Sequence, residues 1–172
     1  MRTIFLVIHI SSGSLALLTG PVAMTLPKRP GWHPRLGIGY QVLIGLLCTS
    51  AIGLAVLTPS LWWLGIIAVA TWAAALAGWQ VRRRHRPGWL PWHISFMCGS
   101  YISLTTALLV VNLGTGAPIA WILPTAIGSP LIAYKAAKAA TSAAGREPGD
   151  VAGHPPGLPS ERSPCPSQAG DA

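Results

Sequence analysis

Five apolar runs, near residues 4–25, 36–57, 61–81, 93–113 and 118–139, take up most of this 172-residue chain, and the only charges inside them are Lys135 and Lys138 at the end of the last. A helix rises about 1.5 Å per residue and needs about 20 residues to cross about 30 Å of hydrocarbon, so each run is long enough to span a membrane. In lipid every backbone N–H and C=O must be satisfied within the segment, which leaves the helix as the natural form for such runs. Composition agrees: 9% of the residues are charged, against about 25% in a soluble domain. The expectation is an all-α integral membrane bundle of five transmembrane helices in one domain, residues 1–140. A signal peptide competes for the first run because Arg2 precedes it. That run is too long, contains His9 and lacks a clear cleavage site, so it reads as a helix.

The charges fix a direction. All four carboxylates, Glu147, Asp150, Glu161 and Asp171, follow residue 146, while ten lysines and arginines precede it. Lys28, Arg29 and Arg35 follow the first run, Arg82, Arg83, Arg84 and Arg86 follow the third, and Lys135 and Lys138 close the fifth; the second and fourth connections carry none. Nine of the ten cations thus fall on one side, with Arg2 the exception. The positive-inside rule makes that side the cytoplasm, with the N-terminus outside and the C-terminus inside. Tryptophans fit the same frame: Trp62, Trp63 and Trp121 lie near the outer ends, Trp32, Trp79, Trp89 and Trp92 near the inner ends, and Trp72 mid-span. The localisation expected is the cell (inner) membrane, multi-pass. Cations clustered between apolar runs read as topology signals and lipid-headgroup contacts, not as a nucleic-acid surface. Cys48, Cys98 and Cys165 have no metal or redox spacing, and no disulfide is expected.

Lipid gives helices no hydrophobic reason to associate, so contacts are expected where small residues allow close approach. Ser12, Ala16 and Gly20 form one stripe at four-residue spacing; Gly37, Gln41, Gly45, Thr49 and Gly53 form another. In the fifth run Pro118 suits a helix start, whereas Pro124 and Pro130 each remove an internal hydrogen bond, so a kink is expected near Pro124. Residues 141–172, rich in Pro, Gly and Ser, cannot bury a core and are expected to be a disordered cytoplasmic tail.

With no Asp or Glu before residue 147, carboxylate proton relays, paired-carboxylate hydrolysis, carboxylate-held magnesium or calcium and a Ser-His-Asp triad all fall away. Histidine is what remains. His9 lies about 8 Å inside the outer end of the first helix, either as a functional ionisable group or as a neutral imidazole bonded to Ser12 or a carbonyl. At the cytoplasmic side, His93 and Met97 share a helix face one turn apart. Imidazole with thioether suits copper or haem iron, and His33, in "GWHPRLG", stands at a similar depth, so His33, His93 and Met97 form a candidate cofactor-binding set. The competing reading makes Trp92 and His93 an interfacial anchor and Met97 a gap filler. About 15 residues, roughly 22 Å, separate His9 from the inner end of its helix, so His9 is a separate outer-side candidate. His85, inside "RRRHR", reads as part of a headgroup-facing cluster. "HISSGSLALL" and "HISFMCGSYISLTTALL" share His-Ile-Ser, Gly-Ser and Ala-Leu-Leu on helices of opposite direction, as an inverted repeat would.

"HISSGSLALLTGP", "HPRLGIGY", "HISFMCGSYISLTTALLVVN" and "WILPTAIGSPLI" together resemble a family of small bacterial multipass membrane proteins known as a domain of unknown function, over about residues 5–135. The resemblance implies an inner-membrane protein, brings His9, His33, His93 and Met97 forward as positions of its pattern, and implies no activity. Three functional readings stand. The first is a non-enzymatic binding or interaction module, its partners being membrane lipids, a membrane protein or a second copy. The second is a haem- or metal-binding redox or assembly protein, and the third a small transporter.

Overall fold

A computed structural model describes residues 1–27 and 31–144. It comprises five long helices, α1 (Arg2–Thr25), α2 (Trp32–Leu57), α3 (Trp62–Arg84), α4 (Trp89–Leu113) and α5 (Pro118–Ala144), with a short 3-10 turn at Pro59–Leu61 before α3. There is no strand among the described residues. All five helices are long and apolar enough to cross a membrane. The sequence-predicted starts of α2 and α4 fall four residues late in each case, at 36 for Trp32 and at 93 for Trp89. Hydropathy marks the edge of the apolar run, but the helices continue beyond it through Trp, His and Pro. They begin where glycine turns the chain, at Gly31 (φ 136°) and Gly88 (φ 74°), backbone angles that a Cβ disfavours. His93 is therefore inside α4, in its second turn, and does not open it.

Consecutive helices pack as neighbours, and α1 returns to α4, so the first four close on themselves while α5 lies against α4. The core runs through Ala16, Tyr40, Ile44, Leu47, Cys48, Ala68, Ala75 and Leu104, with Met97 and Tyr101 packed against it. The small-residue stripe on α1 is the buried one: Ser12, Gly13, Ala16 and Gly20 face inward. A Cβ on Gly20 would stand 2.6 Å from the Tyr101 ring of α4, so only glycine lets those helices meet. The stripe expected on α2 needs correction. Its buried residues are Tyr40, Ile44, Leu47, Cys48 and Ser50, whereas Gly37 meets nothing and Thr49 is exposed. Gly53 still serves close approach, to the Phe5 ring of α1, whereas a Cβ on Gly45 would make only ordinary contact with the Trp72 indole.

α5 continues as one helix through Pro124 and Pro130 to Ala144, past the boundary expected at residue 140. The expected tail from residue 145 onward lies outside the described residues. Among the residues with described burial, Ala120 alone of α5 is fully buried. Where α5 crosses α4, a Cβ on Gly128 would collide with the end of the Ile102 side chain.

Candidate functional site

The histidines on which the sequence reading centred are built into the seams between helices. His9 Nδ1 lies 3.3 Å from the Leu47 carbonyl and 3.3 Å from the Ser50 hydroxyl, both on α2. The partner expected on its own helix is engaged elsewhere, since the Ser12 hydroxyl donates to the Ile8 carbonyl at 2.6 Å. The His33 Nδ1–H donates to the Ala23 carbonyl of α1 at 2.9 Å, and the His93 Nδ1–H to the Gly78 carbonyl of α3 at 2.8 Å. A carbonyl can only accept, so both rings carry their proton on Nδ1. The Met97 thioether turns to the same glycine: a Cβ on Gly78 would stand 3.0 Å from Met97 Cγ and Sδ. His93 and Met97 thus share a face and both serve the α3–α4 contact, while His33 serves the α1–α2 contact. No group of three or more His, Cys, Asp or Glu side chains is gathered as a metal cradle among the described residues.

Hydroxyls carry the remaining crossings. Tyr40 and Ser100 join α2 to α4 at 3.2 Å, Thr71 and Ser103 join α3 to α4 at 2.6 Å, and the Tyr101 hydroxyl donates to the Leu17 carbonyl of α1 at 3.2 Å. In bilayers such bonds contribute about 0.6 kcal/mol each on average. They are directional, so they fix rotation and register as well as adding stability. The Gln41 amide lies in the same region, with both polar atoms buried and no hydrogen bond.

The basic end is a separate feature. Arg83, Arg84, His85 and Arg86 are exposed at the α3–α4 turn, and His85 ends α3 in the left-handed region at φ 42°. The Arg83 guanidinium stacks 4.5 Å from the Trp79 ring centre and that of Arg35 5.9 Å from Trp32. His85, Trp89 and His93 form a ladder of rings with centroids 5.2 and 5.9 Å apart. No carboxylate precedes residue 147, so these cations have no counter-ion among the described residues. Cations and aromatic rings in this arrangement suit a surface of phosphate headgroups.

A repeat that the sequence analysis missed organises this end. Arg-Pro-Gly-Trp-X-Pro occurs at 29–34 and again at 86–91. In both copies the glycine has positive φ, the tryptophan opens a helix and the second proline falls at the third helical position, where the absent N–H is not needed. In both, a histidine early in the second helix bonds a carbonyl near the end of the first. The signal was in plain view as a six-residue match, longer than the His-Ile-Ser match weighed above. It relates two hairpins, α1–α2 and α3–α4, that run in the same direction.

At the opposite end, α3, α4 and α5 enclose a groove of about 330 Å³ lined by Trp63, Ile102, Ser103, Thr106, Trp121 and Thr125, among others. The Trp63 and Trp121 rings meet with centroids 5.7 Å apart. Five other helical threonines return their hydroxyl to a carbonyl of the preceding turn: Thr19 to Leu15, Thr25 to Pro21, Thr49 to Gly45, Thr71 to Ile67 and Thr105 to Tyr101. Thr106 and Thr125 make no such bond, and both line the groove. Comparison with protein families, curated proteins and solved structures returns no match.

Proposed function

We propose that this chain is a multi-pass inner-membrane protein that acts by binding and not by catalysis, with the N-terminus outside and the C-terminus in the cytoplasm. The observation that carries the reading is a division of labour among polar groups. The imidazoles that were the best candidates for chemistry hold helix to helix, while two threonine hydroxyls without a hydrogen bond, those of Thr106 and Thr125, line one groove between α3, α4 and α5. The class of partner is a membrane lipid, a membrane protein or a second copy of the chain. Mass spectrometry of the intact protein released from mild detergent tests this: a stoichiometric lipid or protein adduct is expected, and a chain that emerges bare from native membranes contradicts it. The clustering of arginines at one end supports the orientation. A C-terminal fluorescent-protein fusion is expected to glow and a C-terminal periplasmic phosphatase fusion to be inactive; the reverse pattern overturns the orientation.

One observation favours a second reading, a haem or copper module using His33, His93 and Met97. A ring fixed through Nδ1–H on a main-chain carbonyl is the arrangement that orients a ligating imidazole. An optical spectrum with metal analysis decides it. A Soret band or stoichiometric copper that is lost in His93→Ala supports the module, and a featureless, metal-free preparation sinks it.

A further inference from the structure

We infer that the groove between α3, α4 and α5 holds the glycerol-ester region of an uncharged or zwitterionic diacyl lipid, its ester carbonyls accepting hydrogen bonds from the hydroxyls of Thr106 and Thr125. The inference rests on the binding reading above and names the site and the ligand chemistry. Three observations meet at this place. First, Thr106 and Thr125 depart from the intrahelical bonding of the threonines named above, and in hydrocarbon a hydroxyl without a partner is costly. Two donors on facing helices, one turned from α4 and one from α5, ask for an acceptor between them.

Second, the groove carries no charge. No cation or carboxylate lines it, and the cations at this end of the bundle are Arg2 and the N-terminus of α1, a helix that packs on α2 and α4 and not on α3 or α5. A phosphate or a carboxylate ligand would have nothing to balance it, whereas an ester carbonyl is a neutral acceptor. Third, the depth is right. Trp121 is an interfacial ring near the start of α5, and Thr125 lies one turn deeper, about 6 Å toward the midplane. That is the level just beneath the headgroups, where the acyl esters of a glycerolipid begin. Trp121 and Thr125 are exposed, so the groove opens sideways to the bilayer. Ile67, Ile102 and Val110 offer apolar wall for the upper part of one chain.

A second groove, between α2 and α3, supplies the contrast. It is larger, about 730 Å³, and is lined by Ile52, Val56, Ile66, Val69 and other apolar residues with no hydroxyl among them. It fits any acyl chain and selects none, which makes it an internal control.

The experiment uses the full chain in vesicles carrying a diester phosphatidylcholine with a diazirine near the glycerol, and separately its dialkyl-ether twin, which lacks both carbonyls. After illumination the labelled peptides are mapped. The diester probe is expected to label the peptides bearing Thr106 and Thr125 roughly ninefold more than the ether probe, if each hydrogen bond contributes about a factor of three. Thr106→Val with Thr125→Val should bring diester labelling down to the ether level, Thr106→Ser with Thr125→Ser should restore it, and labelling beside Val69 should stay the same throughout. Equal labelling by the two probes, or diester labelling that survives the double valine variant, overturns the inference. So does displacement of the label by a soluble quinone and not by excess unlabelled diester. A co-purifying lipid or protein with no groove labelling sinks this inference alone; a bare chain with no labelling sinks the binding reading too.

Discussion

Between α3 and α4 the hydroxyls of Thr71 and Ser103 stand 2.6 Å apart, and His93 reaches across to the Gly78 carbonyl. Between α4 and α5 the contact is one of shape, with the backbone at Gly128 lying beneath the Ile102 side chain, and the α5 hydroxyls of Thr141 and Ser142 bond back to Lys138 of their own helix. The two seams show different ways of holding helices together. Hydrogen bonds make a seam directional and engage the polar groups that meet across it. Packing by shape alone leaves polar groups over, and here those left over, Thr106 and Thr125, line the groove.

The contrast can be broken or sharpened by substitution, beginning with the largest effect. Gly20→Leu would force the Tyr101 ring out of its place and with it the bond to Leu17. Overpacking of this kind costs about 1–3 kcal/mol, read as a lower midpoint in detergent-induced unfolding. An unchanged midpoint would mean that α1 and α4 do not meet. Gly128→Val disturbs the other seam, but the colliding atoms are the end of a flexible Ile102 side chain, so about 1 kcal/mol is expected. Thiol-reagent access to cysteines placed along α5 should rise while that along α1 and α2 stays the same.

Smaller effects separate used from unused hydroxyls. Thr71→Val and Tyr40→Phe each remove a crossing bond and should cost about 0.6 kcal/mol. Thr106→Val and Thr125→Val in lipid-free detergent should cost nothing measurable or stabilise slightly, because no protein partner is lost. If all four cost the same, the division between the seams fails. Smallest of all, Ile127→Leu at a position 63% exposed on α5 should stay within about 0.5 kcal/mol.

Much of the fold was legible because it follows from hydropathy, which is additive along the chain. Five spans, and the stripe of Ser12, Ala16 and Gly20 that α1 buries, could be read directly. The stripe on α2 misled because small residues permit close approach without specifying it: Gly37 has open space, while the large Tyr40, Ile44 and Leu47 fill the core. The candidate site was less legible. His9, His33 and His93 bond to Leu47, Ala23 and Gly78 through main-chain carbonyls, which every residue has, so no sequence pattern marks the partner. The groove was invisible for a related reason. Thr106 and Thr125 differ from Thr105 only in where their hydroxyls point, and that is decided by the crossing of helices distant in sequence.

Packing of consecutive helices would occur in any up-and-down bundle, so the contact that tests the architecture is the non-sequential one between α1 and α4. Gly20→Cys with Tyr101→Cys, in a background where Cys48, Cys98 and Cys165 are replaced by alanine, places two thiols where the glycine backbone and the tyrosine ring now touch. Oxidation in native membranes, followed by denaturing electrophoresis, should give a faster-migrating, reducible monomer band. An unlinked chain, or a link formed only between two chains, would contradict the closed arrangement of α1 to α4.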